Sequence, residues 1–211
     1  MHTHAHTCTH THISTLVCAC FTLHRGDGNS LADDSAVVVS QSQDKELLVE
    51  CDQPGKTLSV WLPFSCSTHV ELQDAEKDAP ANLTITKMEG GEVAFSTQAG
   101  SCTLSGVKTP AVTGTSVSGN LNIDSLLGDV SFRSDAGDLF VRRVQSLKFD
   151  ADLQGGSVGI ESLYADVANV RTQTGDILIG DAHGPGTYES DTGSIHFGAC
   201  ASWLGSVERV K

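Results

Sequence analysis

The stretch Thr-Gln-Thr-Gly-Asp-Ile-Leu-Ile at 172–179 returns as Ser-Asp-Thr-Gly-Ser-Ile-His-Phe at 190–197. Each copy is a small polar run, a Gly, one polar residue, then apolar–any–apolar. That order of residues describes a turn feeding a short strand with one buried face. Gly-x-apolar-x-apolar occurs eight times, opened by Gly91, Gly100, Gly119, Gly128, Gly137, Gly156, Gly175 and Gly193. The first apolar positions are Val93, Cys102, Leu121, Val130, Leu139, Val158, Ile177 and Ile195. The second are Phe95, Leu104, Ile123, Phe132, Val141, Ile160, Ile179 and Phe197. The position between them varies from Ala94 and Asn122 to Phe140 and His196, as expected where side chains point away from a core.

The spacing carries the stronger signal. Gly100, Gly119, Gly137, Gly156, Gly175 and Gly193 follow one another at steps of 18 or 19 residues, and Gly91 and Gly128 fall midway. A fixed period of this length marks a solenoid of stacked coils, in which no coil buries its apolar face alone. The expected fold is therefore all-β: a parallel β-solenoid (β-helix) with coils of 18–19 residues and two strands per coil. The midway series weakens after Gly128, to Leu147/Phe149, Ala168/Val170 and the region of Thr187, so the second sheet should be the less regular one. Gly at the corner tolerates φ > 0, and Asp129, Asp138 and Asp176 behind it suit turns by accepting bonds from nearby backbone N–H groups.

The phrases Thr-Gly-Asp-Ile-Leu-Ile and Thr-Gly-Ser-Ile-His-Phe resemble the repeat of the adhesin-like β-solenoid family of unknown function. The run 82–198 is most similar to a vertebrate member of it. The resemblance implies a β-helical scaffold and supplies no catalytic residues. "Adhesin-like" describes a fold and is not evidence of adhesion.

Composition agrees with a thin core. Among 211 residues there are 21 Gly, and aromatics are only 5%. The net charge of −13 is spread along the chain, which argues against nucleic acid or an anionic membrane as main partner. No apolar run has the length of a membrane-spanning helix. The seven Cys are Cys8, Cys18, Cys20, Cys51, Cys66, Cys102 and Cys200, with no Cys-x-x-Cys pair. Cys102 stands at an inward position and is expected to be a buried thiol. An odd set of unpaired thiols favours an intracellular, reducing compartment; a mitochondrial address would require a native form with a different N-terminus. The sequon Asn82-Leu83-Thr84 would matter only on secretion.

Taken in order, 1–35 is expected to be low-complexity and disordered. Its opening His-Thr alternation is what a CA dinucleotide repeat encodes, and it fits neither a signal peptide nor a transit peptide. Residues 36–89 read as an irregular N-terminal β cap, with strand candidates at 36–39, 46–50, 57–62, 68–72 and 83–86. Regular coils should fill 90–198. The tail 199–211 breaks the phrase at Arg209, and is expected to be irregular and truncated, leaving an apolar end that self-associates.

Carbohydrate-active enzymes are built on some β-helices and work through paired carboxylates. Asp135 with Asp138, and Asp181 with Asp191, could meet at corners, but corner Asp residues ordinarily make turns. Tyr164, Tyr188, Trp61 and Trp203 share no register suited to stacking on sugars. His183 and His196 with Asp181 and Asp191 could bind a metal, yet read more simply as solvated side chains. The expectation is no catalytic, cofactor or metal residues and no cofactor. The chain would be a non-catalytic scaffold or interaction module, with a protein partner or self-association through a sheet edge. The alternative is a carbohydrate-active lyase or hydrolase, which should show one groove where carboxylates and aromatics cluster across several coils.

Overall fold

The computed structural model describes residues 10–16, 20–25, 37–41, 46–51, 57–62, 67–72, 82–202 and 206–209, with side chains described over 67–70 and 82–198. The strands are β1 (His10–Leu16), β2 (Cys20–Arg25), β3 (Val37–Gln41), β4 (Glu46–Cys51), β5 (Thr57–Leu62), β6 (Ser67–Leu72), β7 (Asn82–Thr86), β8 (Val93–Thr97), β9 (Cys102–Ser116), β10 (Leu121–Ala136), β11 (Leu139–Gly155), β12 (Val158–Thr174), β13 (Ile177–His183), β14 (Gly186–Thr192), β15 (Ile195–Ser202) and β16 (Ser206–Arg209). All pairings are parallel except the β3–β4 hairpin, which closes one end. This is a β-solenoid without a helix among the described residues.

Each coil has two arms. In β9 to β12 one strand runs through both, and pairing continues across the bend; β11 and β12 stay in register from Leu139↔Val158 to Gly155↔Thr174. The first arm buries Leu121, Ile123, Leu139, Val141, Val158, Ile160, Ile177 and Ile179, none above 2% exposure. Ile195 and Phe197 are partly buried in the last coil. These are the inward positions that the phrase marks, and each contributes about 1.5–3 kcal/mol by burial.

The second arm uses a different rule. Its middle inward column reads Phe95, Gly114, Phe132, Ala151, Val170 and Tyr188, with successive members in register. Large and small side chains share the space: a Cβ on Gly114 would lie 2.3 Å from Phe95 Cζ. The next inward column is mostly hydroxyls, Thr97, Ser116, Ser134, Thr172 and Ser190, all buried, with Leu153 among them. Each stands three residues before a corner Gly. Thr172 Oγ1 donates to the Gly156 carbonyl at 2.9 Å, and Ser190 Oγ to that of Gly175 at 3.0 Å.

Several expectations are corrected. The second copy at Leu147/Phe149 is out of phase by one step: Phe149 and Ala151 point inward, whereas Leu147 is 68% exposed. The disordered reading of 1–35 meets two strands within it. β1 lies between β4 and β6, and β2 between β5 and β7, so the first coil is inserted into the stack rather than placed at its end. Thr11, Ile13 and Thr15 put β-branched residues at alternate positions, which favours a pleated strand whatever encodes them. Residues 1–9 and 26–36 lie outside the described residues. In the tail, β16 pairs with β14 through Tyr188↔Val207 and Ser190↔Arg209.

Candidate functional site

The corner carboxylates are occupied by the stack. Asp138 Oδ1 accepts from Ser157 N at 2.8 Å, and Asp176 Oδ1 from Ser194 N at 2.7 Å. Asn120 Oδ1 accepts from Asp138 N at 2.9 Å, and Asn82 Oδ1 from Ser101 N at 2.8 Å. One column of side chains therefore ties each coil to the next, and the sequon asparagine belongs to it. Asp135 Oδ1 is bonded by Gln154 Nε2 at 3.1 Å. Asp135 and Asp138 thus act as coil-to-coil acceptors, and neither lines the groove described next.

The groove runs along the bend between the arms and has a volume of about 820 Å³. One wall is the in-register stripe Lys108, Leu127, Gln145, Tyr164 and His183. The floor is made of small residues, including Gly128, Ser146, Ala165 and Gly184, and the opposite wall carries Asp129, Leu147 and Asp166. The bend places one outward position before a small residue and two after it, as Tyr164 before Ala165 and Asp166 and Val167 after it, so the walls stand above the floor. Leu127, Tyr164 and Leu147 are exposed. The Tyr164 and His183 rings stack with centroids 4.3 Å apart and planes within 6°. Both rings lie one above the other along the solenoid axis, so part of the Tyr164 face is covered.

The polar groups of the groove divide into used and unused. Asp129 Oδ1 accepts from the backbone N–H groups of Leu147 and Lys148, each at 2.9 Å. Lys108 Nζ pairs with Glu89 Oε1 at 3.2 Å, and His183 Nε2 with Asp181 Oδ2 at 3.1 Å. The Asp166 carboxylate, the Gln145 amide and the Tyr164 hydroxyl make no hydrogen bond or ion pair among the described residues. Nothing here pairs a nucleophile with a base. The arrangement is suited to binding through an apolar strip with free polar groups on either side.

The other sequence candidates are dispersed. Asp181 meets His183 rather than forming a carboxylate pair, and Asp191 has Oδ1 buried without a hydrogen-bond partner. His196 faces outward on β15 beside Leu178. Tyr188 is a core residue, edge-on to Phe197 at 5.2 Å. The side chains of Trp61 and Trp203 lie outside the described residues. Among the described residues no group of three or more His, Cys, Asp or Glu is placed to hold a metal ion. Cys102 is buried, and burial pushes its thiol far up, so it is a poor nucleophile.

A second, smaller depression of about 280 Å³ crosses the outer face of the second arm. Arg133, Asp152, Arg171 and Glu189 follow one another in register there, with alternating charge. Desolvation raises the Asp150 carboxyl, but hydrogen bonds from Lys148 and Asn169, with the charges of Lys148 and Arg133, outweigh it and hold the group below the usual carboxylate range. Charges that neutralise one another along the stack leave this face with little net pull on a ligand.

Sequence reasoning missed the groove. The only signal for it is the step of 18 or 19 residues linking Lys108, Leu127, Gln145, Tyr164 and His183, which differ in chemistry. The family profile described as Toastrack DUF4097 matches residues 55–196, about two thirds of the chain. Neither the curated proteins nor the solved structures contain a match to this chain.

Proposed function

We propose, for a chain that belongs to the Toastrack family of β-solenoids of unknown function, that it is a non-catalytic interaction module whose binding surface is the groove along the bend. The observation that carries this reading is the exposed apolar stripe: Leu127 is 45%, Tyr164 43% and Leu147 68% exposed, aligned in one groove. Contiguous exposed apolar side chains rimmed by polar groups mark interaction sites. The corner acids, by contrast, are held by the next coil. A sugar-cleaving enzyme needs two carboxyls across a bound ring; of the two in the groove, Asp129 is already bonded to two backbone N–H groups. Within the family, the run 82–198 resembles a vertebrate member. β15 ends the order of paired strands, and its outer edge is the second place where another chain, or a second copy, could add a strand.

The test compares proteins retained by the full chain with those retained by Leu147→Glu and by Leu178→Glu, an exposed position on the first arm. The groove variant should lose its specific partners, and the first-arm variant should keep them. Equal retention by both variants would remove the groove from the binding surface.

A further inference from the structure

We propose that the groove takes an extended peptide segment in which apolar residues alternate with lysine or arginine; this rests on the reading of the groove as the binding surface. The lining runs through successive coils from Gly90 to Gly184. At about 4.8 Å per coil it is about 24 Å long, room for about seven residues of extended chain at about 3.3 Å each. Leu127 and Leu147 stand on opposite walls of the small-residue floor, one coil apart, and offer apolar contact to alternate side chains. The unbonded Gln145 amide can donate to a peptide carbonyl and accept from a peptide N–H together.

The sign of the partner follows from the charges. Asp166 is an unpaired carboxylate on the rim, and Asp129, two coils away on the same wall, adds a second negative charge. Lys108 is neutralised by Glu89, and the chain as a whole carries −13. A basic side chain is therefore attracted both locally and from a distance. The aromatic geometry disfavours a sugar. Stacking on a pyranose needs an open ring face, and His183 takes up one face of the Tyr164 ring at 4.3 Å.

The experiment titrates the full chain with a labelled heptapeptide of alternating Leu and Lys, with its Leu and Glu counterpart, and with cellohexaose, reading affinity by fluorescence anisotropy or calorimetry. The expected result is that the Leu/Lys peptide binds and the other probes do not. Asp166→Lys and Leu147→Glu should each weaken it at least tenfold, and Glu161→Lys, the same charge change on the first arm, should alter it less than twofold. If the Leu/Glu peptide or the sugar binds instead and Leu147→Glu abolishes it, the basic-peptide inference fails while the groove remains the binding surface. If no probe binds, or if Glu161→Lys weakens the Leu/Lys peptide as much as Asp166→Lys, the attraction is not local to the groove and the proposal is overturned.

Discussion

Gly156→Ala should destabilise the protein, and Gly159→Ala, three residues on in the same coil, should not. Gly156 sits at a corner with φ +115°, and a Cβ there would lie 2.1 Å from the carbonyl oxygen of Gly137. That carbonyl belongs to the backbone of the preceding coil, where Gly137 N is bonded to Gly155 O at 3.1 Å, so neither chain can retreat without breaking the ladder. Left-handed strain costs about 1–3 kcal/mol, and overpacking about 1–3 kcal/mol more. The reduced entropy of the unfolded chain returns about 0.4–1 kcal/mol. The net loss is about 1–5.5 kcal/mol, a fall in melting temperature of about 2–20 °C for a chain of this size. At Gly159 the nearest atom to an added Cβ is Phe140 Cδ2 at 3.3 Å, part of a ring that is 44% exposed and free to turn. Removing a strand glycine then favours folding by about 0.5–1 kcal/mol. Urea and thermal unfolding followed by circular dichroism measure both. Equal midpoints for the two variants would refute the argument that the glycine column marks a steric contact between coils.

Asp150→Asn should lower stability at neutral pH by less than about 1 kcal/mol, the scale of exposed pairs. The folded carboxyl sits below its unfolded value. Its contribution is therefore present above the unfolded pKa and lost as pH falls through the folded one, so variant and wild type should converge in acid unfolding; a gap that widens toward low pH would contradict this. Cys102 should resist alkylation in the folded protein and react once it is unfolded in urea, as mass spectrometry of the tryptic fragment would show. A chelator should leave the circular dichroism and melting temperature unchanged, and a chelator-induced loss of β signal would reveal a structural metal.

The first arm was legible in the sequence because its physics is local. A corner that excludes Cβ demands Gly, and a half-buried strand demands Leu121/Ile123 or Ile177/Ile179 after it. The second arm hid its register because its core is shared between coils: Phe95 fills the space above Gly114, so the pairs Val93/Phe95 and Val130/Phe132 have no matching pair in the coil between them. Hence Leu147 looked inward when Phe149 was. The hydroxyl column was visible as a "small polar run", but its burial depends on the Gly carbonyls of the preceding coil. The His-Thr segment was judged on composition, which conceals that Thr11, Ile13 and Thr15 suit a strand. The groove was illegible because its walls join residues from different coils, and nothing in Gln145 or Asp166 alone suggests a site.

Every inward and outward assignment above, the groove included, depends on the phase of the coils. The measurement that tests it most directly is the stability of Ile177→Asp against Leu178→Asp. Ile177 is fully buried and Leu178 is 52% exposed. The account predicts that the first change unfolds the domain, because it removes about 1.5–3 kcal/mol of burial and places a carboxylate in the core, while the second shifts the urea midpoint only slightly. Equal losses for the two neighbours would contradict the phase, and with it the fold and the groove as described.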